Sequence, residues 1–394
     1  MKKTAIVSCY FHHNYGSMLQ ALATQMALNR LEYDNETINI SGFRRELRQA
    51  KMAYFIRASL TSTIFPSKYG MALNVLRRKF GEYGRLSALR DERFREFSAS
   101  RFSLSPPYPS LRELGLQCGN AYSAVLVGSD QLWTPANIAA DYYTLNFVPP
   151  TLNTIAYATS FGQASLPRSM EAKAAAMLKK IRHISVREKS GQAIVEDLTG
   201  RRVPIVCDPV LLFTARDWAR IQSDGVRPAK PYIFCYFLGK RKAHREFASR
   251  LAKTTELPIV ALTHLDEYVP GDERYADETS YDVGPTDFLN LIHNASYVCT
   301  DSFHVCAFSL LFEKKFFAFR RYPSRTRYST NDRLDHLLSV VGMRGKILNG
   351  DEGAEDGIRS SWDYGSARER LEALRRESWE YLSRALKDTG GTDI

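Results

Sequence analysis

No two of the six cysteines in this 394-residue chain form a C-x-x-C pair, which argues against a metal or disulfide framework. Cys9, Cys118, Cys207, Cys235, Cys299 and Cys306 are scattered, mostly inside apolar runs. They read as reduced, buried, small hydrophobes, with a disulfide or metal role as the alternative. No uninterrupted apolar run approaches the length of about 18 residues that a membrane-crossing helix needs. Met1-Lys2-Lys3 leads into only a short apolar stretch without a secretory core, so a soluble, cytoplasmic protein is expected. A G-x-G-x-x-G dinucleotide fingerprint is also missing, as are short-period repeats and low-complexity tracts.

What is there is ordinary globular composition, 44% hydrophobic and 25% charged, in a chain longer than one core usually supports. The net charge of +11 is unevenly spread: Ser41 to Arg101 holds 14 Lys and Arg against 5 Asp and Glu, a balance of +9 in 61 residues. FRRELRQAKMAYFIRASL and NVLRRKFGEYGRLSALRDERFREF mix cations with Phe, Tyr and Leu at helical spacing, which predicts two amphipathic helices. Three readings compete: a solvated hairpin packed on the body, a surface for anionic lipid or a lipid-diphosphate substrate, and a nucleic-acid surface. No nucleic-acid motif accompanies the charge, and no nucleic-acid partner is expected.

Elsewhere, short apolar runs alternate with helical patterns. Candidate strands are TAIVSCY, ETINI, SAVLVGS, TIAYATSFG, HISVRE and PIVCDPVLL, then a second set in YIFCYFLG, LPIVALTH, SYVCTDS and FFAFR. Near-continuous apolar strands separated by helices argue for parallel sheets covered on both faces. The fold class is therefore α/β, two Rossmann-like domains with a basic helical insertion in the first. The expected boundaries are residues 1–220 with the insertion at about 43–101, then 231–350, and a C-terminal segment 351–394 whose helix packs back on the first domain. The polar stretch from Gln222 to Lys230 is the linker candidate.

Ligands of open parallel sheets bind beyond the carboxyl ends of the strands. SCYFHHNYGSMLQ, residues 8–20, is such a strand-to-helix elbow: Gly16 lets the backbone approach a ligand, and Asn14 or Ser17 could cap the following helix. In VLVGSDQLW, residues 125–133, Asp130 could hydrogen-bond a sugar hydroxyl and Trp133 stack on a sugar ring. Equally, Asp130 reads as a cap and Trp133 as a core anchor. In HISVREKSG, Arg187 ends a strand and could hold a carboxylate or phosphate bidentately, or pair with Glu188 or another acid. In TDSFHVCAF, residues 300–308, Asp301 and Ser302 open a helix whose free N–H groups favour an anion. His304, in its first turn, could act as a general acid, although a lone histidine there is more often structural.

NYGSMLQALA, LVGSDQLW, ATSFG, SVREKSG, DPVLLF, TDSFHVCAF and NDRLDHLLSVVG occur in an order and spacing that resemble the polysaccharide pyruvyl transferase family, over about residues 4–343. The resemblance implies a two-domain fold similar to GT-B glycosyltransferases. It also implies transfer of the enolpyruvyl carbon of phosphoenolpyruvate onto a sugar, commonly as a cyclic pyruvate ketal, without a metal or other cofactor. His304 and Arg187 match the family's functional histidine and basic residue, and Arg333 its arginine after the final loop. Members commonly carry glycine where this chain has Val305, and some carry arginine where it has Ser302. On this reading Asp301, Ser302 and Arg333 bind the donor in the second domain. His12, His13, Asn14, Gly16, Asp130 and Trp133 meet the acceptor in the first. The expected partners are phosphoenolpyruvate and a sugar or lipid-linked oligosaccharide, with a peripheral contact at the inner face of the cytoplasmic membrane. The rival readings are a nucleotide-sugar glycosyltransferase of GT-B type and a non-catalytic carbohydrate-binding protein.

Overall fold

The computed structural model describes residues 2–61, 81–225, 228, 230–263, 269, 271–272, 274–322 and 331–388. Two parallel sheets organise them. The first contains β1 (Lys3–Val7), β2 (Asn35–Thr37), β3 (Tyr122–Val127), β4 (Asn153–Thr159) and β5 (His183–Val186) in the order β2-β1-β3-β4-β5. The second contains β6 (Ile233–Tyr236), β7 (Ile259–Leu262), β8 (Glu278–Thr279), β9 (Tyr297–Thr300), β10 (Lys315–Phe319) and β11 (Ile347–Leu348) in the order β11-β10-β9-β6-β7-β8. Strands such as β3, YSAVLV, and β4, NTIAYAT, are apolar and buried on both faces because helices cover both sides. These are two Rossmann-like domains. In each, the strand order reverses beside the first strand of the set, between β1 and β3 and between β6 and β9, and such reversals open crevices for ligands.

One expected strand is corrected. In PIVCDPVLL only Ile205 makes a bridge, to Val186. Asp208 then accepts from the Val210 N–H at 3.2 Å and starts a 3-10 turn over Pro209–Leu212. Pro209 has no N–H to give a ladder, and Asp208 offers the backbone a local alternative.

Helix α1 (Tyr15–Arg30) starts at Asn14, whose side chain accepts from the Ser17 N–H at 3.2 Å. The basic insertion supplies α2 (Arg44–Thr61) and α3 (Gly81–Arg101). Arg77, Arg78 and Lys79 lie outside the described residues. Phe43 and Leu47 seat α2 on the first domain, Phe43 meeting Tyr142 edge-on at 5.6 Å. In contrast, α3 reaches the second domain. Arg90 donates to the Thr263 carbonyl and hydroxyl at 3.2 and 3.0 Å, and Arg93 grips Asp282 at 2.6 and 3.1 Å. The second domain contributes α4 (Pro285–Asn294), α5 (Phe303–Leu311) and α6 (Asp332–Val340). The last helix, α7 (Tyr364–Lys387), returns to the first sheet, where Asn153 donates to the Ala385 carbonyl at 2.7 Å and Tyr381 to that of Ala156 at 3.3 Å.

Candidate active site

Where the loops after β1, β3 and β5 face the start of α5, charged side chains converge on two buried carboxylates. Asp208 receives Nη1 of Arg187 at 2.5 Å and the Ser129 hydroxyl at 2.9 Å, with Nε2 of His304 at 3.5 Å. Asp130 receives the Ser17 hydroxyl at 2.5 Å, the Gln131 N–H at 2.8 Å and Nη2 of Arg187 at 3.2 Å. Nη1 of Arg333 stands 3.8 Å away. The backbone of Asp130 has φ of +82°, a left-handed conformation that costs a non-glycine residue about 1–3 kcal/mol and recurs at functional sites. The carboxylate sits between Arg187 of its own domain and Arg333 of the other.

The charges decide protonation. Burial pushes the Asp208 carboxyl up, but His304 and then Arg187 outweigh it and hold it at about 2. Burial likewise opposes ionisation of Asp130, and Arg187, His304 and Arg333 pull it below the ordinary carboxylate range. Glu188 goes the other way: burial raises it despite Arg187, whose Nε is 3.7 Å from Oε2. Burial, then repulsion from Arg187, pulls Arg333 down to about 10, and its Nε is buried without a hydrogen bond among the described residues. An anion beside Arg333 would relieve both penalties.

The sequence readings land as follows. Arg187 is not free to grip a ligand by itself. Its side chain is 1% exposed and meets Asp208, Asp130 and Glu188, the carboxylate-pairing alternative. His304 is the second residue of α5, after Phe303 and the Ser302 cap position, where the Ser302 side chain makes no cap bond. Asp301 has both oxygens committed, to the N–H groups of Leu238 at 2.6 Å and Gly239 at 2.8 Å, so it closes the β6–β9 crevice instead of facing a donor. Trp133 is a correction: it is fully buried and donates to the Tyr143 carbonyl at 3.0 Å, so it has no face for a sugar.

Gly16 has a sharper reason than the expected one. A Cβ there would come within 2.1 Å of Nδ1 of His304, so glycine lets α1 of the first domain touch the imidazole of the second. His12, His13, Asn14 and Asp130 do share a cavity of about 440 Å³ at the β1–β3 crevice, with Ser17, Gln131, Thr134, Asn137, Arg44 and Lys51 also in its lining. His13 is held there by Asp91 of α3 at 2.6 Å and stacks on Phe94, while Asn14 doubles as the α1 cap.

Sequence reading missed Ser129, Asp208 and Phe303 at the site, and saw Ser17 only as a candidate cap rather than as the partner of Asp130. Phe303 lies under both arginines, 4.9 Å from the Arg187 guanidinium and 5.9 Å from that of Arg333, a stacking that favours cations. Its signal was its place beside His304 at a helix start. That of Asp208 was an acid before proline, three residues after the Ile205 bridge.

The sequence pattern of the polysaccharide pyruvyl transferase family matches residues 14–321. The chain belongs to that family. It is thereby a transferase of polysaccharide biosynthesis. No curated protein matches the sequence. Among solved structures, UDP-GlcNAc 2-epimerase from Neisseria meningitidis, bound to UDP-GlcNAc, aligns over 98% of this chain and 99% of its own with 10% identity and a TM-score of 0.51. MurG from Acinetobacter baumannii aligns over 98% and 99% with 10% identity and a TM-score of 0.44. At such identity the epimerase match shows a shared GT-B-like fold of two Rossmann-like domains and nothing of the substrate. No described helix is long and apolar enough to cross a membrane.

Proposed function

We propose that this transferase moves the pyruvate carbon skeleton of phosphoenolpyruvate onto a sugar of a bacterial surface polysaccharide precursor and closes a pyruvate ketal over two hydroxyls, without a metal. The observation that supports it most is Arg333: a buried cation whose one ion pair among the described residues, with Asp130, is long at 3.8 Å, in the same cluster as His304. Phosphoenolpyruvate would bring a phosphate and a carboxylate to it.

In this mechanism His304 donates a proton to the methylene carbon, leaving positive charge at the adjacent carbon. One sugar hydroxyl adds there, and the bond to the phosphate oxygen breaks. The second hydroxyl then adds to the same carbon. Of the two hydroxyl protons released, one returns to His304 and one leaves with phosphate. Asp208 keeps the imidazole in place, and Arg187 helps keep Asp208 ionised. His12, His13 and Asn14 orient the acceptor through position rather than proton transfer. A lipid-linked acceptor at the inner membrane face would bring the basic insertion to an anionic surface.

Two measurements test the reading together. Phosphoenolpyruvate should stabilise the fold without added divalent metal, by about 2.7 kcal/mol at 100 times its dissociation constant. A candidate glycan incubated with it should gain the mass of a pyruvate ketal as phosphate appears. A melt unmoved by millimolar phosphoenolpyruvate but raised by a nucleotide sugar would replace this reading with a glycosyltransferase. Response to a glycan alone would leave a binding protein.

A further inference from the structure

The basic insertion does more than add surface charge, because α2 presents two of its cations to the β1–β3 cavity. Arg44 begins the helix and Lys51 follows seven residues later, roughly 10 Å along the axis and within joint reach of two long side chains. Among the described residues neither pairs with a carboxylate. Their partners are rings: the Arg44 guanidinium is 5.4 Å from the Phe11 centroid, and the Lys51 ammonium is 5.8 Å from that of Tyr143. Lys51 is half-buried, and burial lowers its pKa. The carboxylate of the cavity, Asp130, cannot serve them, because Ser17, Arg187 and the Gln131 N–H already occupy it. The cavity therefore has an anionic wall whose charge is spent and a cationic wall whose charge is not.

Resting on the reading of this cavity as the acceptor side, we propose that Arg44 and Lys51 select an acceptor that carries a phosphate group, seated between them while its sugar hydroxyls point towards His304. A neutral sugar would leave a half-buried ammonium uncompensated, at a cost that an anion removes. Phosphate fits better than carboxylate, since its oxygens and double charge can meet two cations from different directions. Such a group is equally part of a soluble sugar phosphate and of a lipid-linked glycosyl diphosphate, and the chemistry of the site is common to both.

Calorimetry on the full chain at low salt, with N-acetylglucosamine 1-phosphate, inorganic pyrophosphate, glucuronic acid and N-acetylglucosamine as probes, tests it. The sugar phosphate should bind at least about tenfold more tightly than the neutral sugar. Lys51→Met should abolish that preference and Arg44→Gln, at an exposed and structurally undemanding position, should reduce it. Phosphoenolpyruvate affinity should stay within about twofold in both variants. The inference is overturned by equal binding of charged and neutral sugars, by glucuronic acid binding more tightly, by a preference that survives both substitutions, by competition between phosphoenolpyruvate and the sugar phosphate, or by no binding of either phosphate probe at millimolar concentration. Phosphate selectivity without phosphoenolpyruvate binding would keep this inference and sink the donor reading; the converse would sink this inference alone. Repeating the titration with a lipid-linked glycosyl diphosphate in vesicles separates the two sources: a further gain in affinity assigns the lipid-linked one, and none assigns the soluble one.

Discussion

The two sheets reverse their strand order in the same way, yet they treat the resulting crevices oppositely. Between β6 and β9 the crevice is filled by Asp301, which accepts two backbone N–H groups of the facing loop, with Arg321 3.9 Å behind it. Between β1 and β3 the equivalent acid, Asp130, is held by Ser17 and Arg187 of its own domain, and a polar cavity stays open beside it. A satisfied crevice is rigid, and α5 grows directly from it, so His304 and Phe303 are presented on a fixed base. An open crevice has room for a second substrate. The same topology thus supplies a held reacting group on one side and a space on the other, a division suited to group transfer.

Removing the held group should have the largest effect. His304→Gln keeps the shape of the side chain and loses the acid, so turnover should fall by about 10²- to 10⁴-fold while donor affinity stays near intact. Phosphate release and calorimetric affinity measured on one preparation check both halves. Near-normal turnover would make the histidine structural and move the search for the acid to His12 and His13, on the open side.

Arg187 should break differently. Its guanidinium is the shared partner of Asp208 and Asp130 with Glu188 close by, so Arg187→Ala leaves buried negative charge unpaired, at a cost of about 3–5 kcal/mol. Asp301→Ala strips acceptors from two backbone N–H groups and should cost about 1–3 kcal/mol. Denaturant titrations of both variants rank them. If Arg187→Ala were the milder, ligand binding rather than carboxylate pairing would be the arginine's main task.

Gly16 tests how closely the two sides are fitted. A methyl group there would have to displace the His304 ring, and misplacing a reacting group by about 1 Å can cost 10²-fold in rate. Gly16→Ala should therefore lower turnover, read as phosphate release, by about one to two orders of magnitude. A fully active variant would show that α1 and α5 separate during the reaction.

The carboxylates also predict a direction with pH. Asp208 is held at about 2 in the folded chain, below its ordinary value of about 3.9. A depressed acid adds stability that is complete above its unfolded value and lost as pH falls through the folded one. Stability should decline from about pH 4 towards pH 2, and Asp208→Asn should flatten that slope while lowering the plateau; urea midpoints across this range measure both.

Much of the architecture was legible because buried parallel strands write themselves as apolar runs. The expected strands in SAVLVGS, TIAYATSFG, YIFCYFLG and SYVCTDS are there, with bounds 122–127, 153–159, 233–236 and 297–300. Strands β8 and β11, two residues each, were not legible, since their pairing comes from neighbours rather than from their own pattern. At the site, His304 and Arg187 stood out because helix starts and strand ends are readable along the chain. Asp208 did not, because its meaning lies in residues 79 positions before it and in His304 far after it. Trp133 misled for the opposite reason: a tryptophan after a strand looks the same whether its ring meets a sugar or, as here, Phe161 at 5.2 Å.

The smallest effect concerns the outer face of α2, where the open side of the molecule continues into its surface. Met52, Phe55 and Ile56 are 56%, 39% and 56% exposed, three of the six large apolar side chains exposed among the described residues. Beside them Arg45, Arg48 and Arg57 are exposed as well. Clustered apolar side chains ringed by cations fit the boundary of an anionic bilayer better than they fit water. Each basic residue near such a surface contributes about 1 kcal/mol, an attraction that salt screens. Sedimentation with anionic vesicles should accordingly show binding at low salt that fades as salt rises. Met52→Ser with Ile56→Ser should weaken the fraction that persists at high salt, where only apolar contact remains. Binding that ignores salt would assign the contact to apolar burial alone, and none at low salt would return α2 to a solvated helix whose work is confined to its inner face.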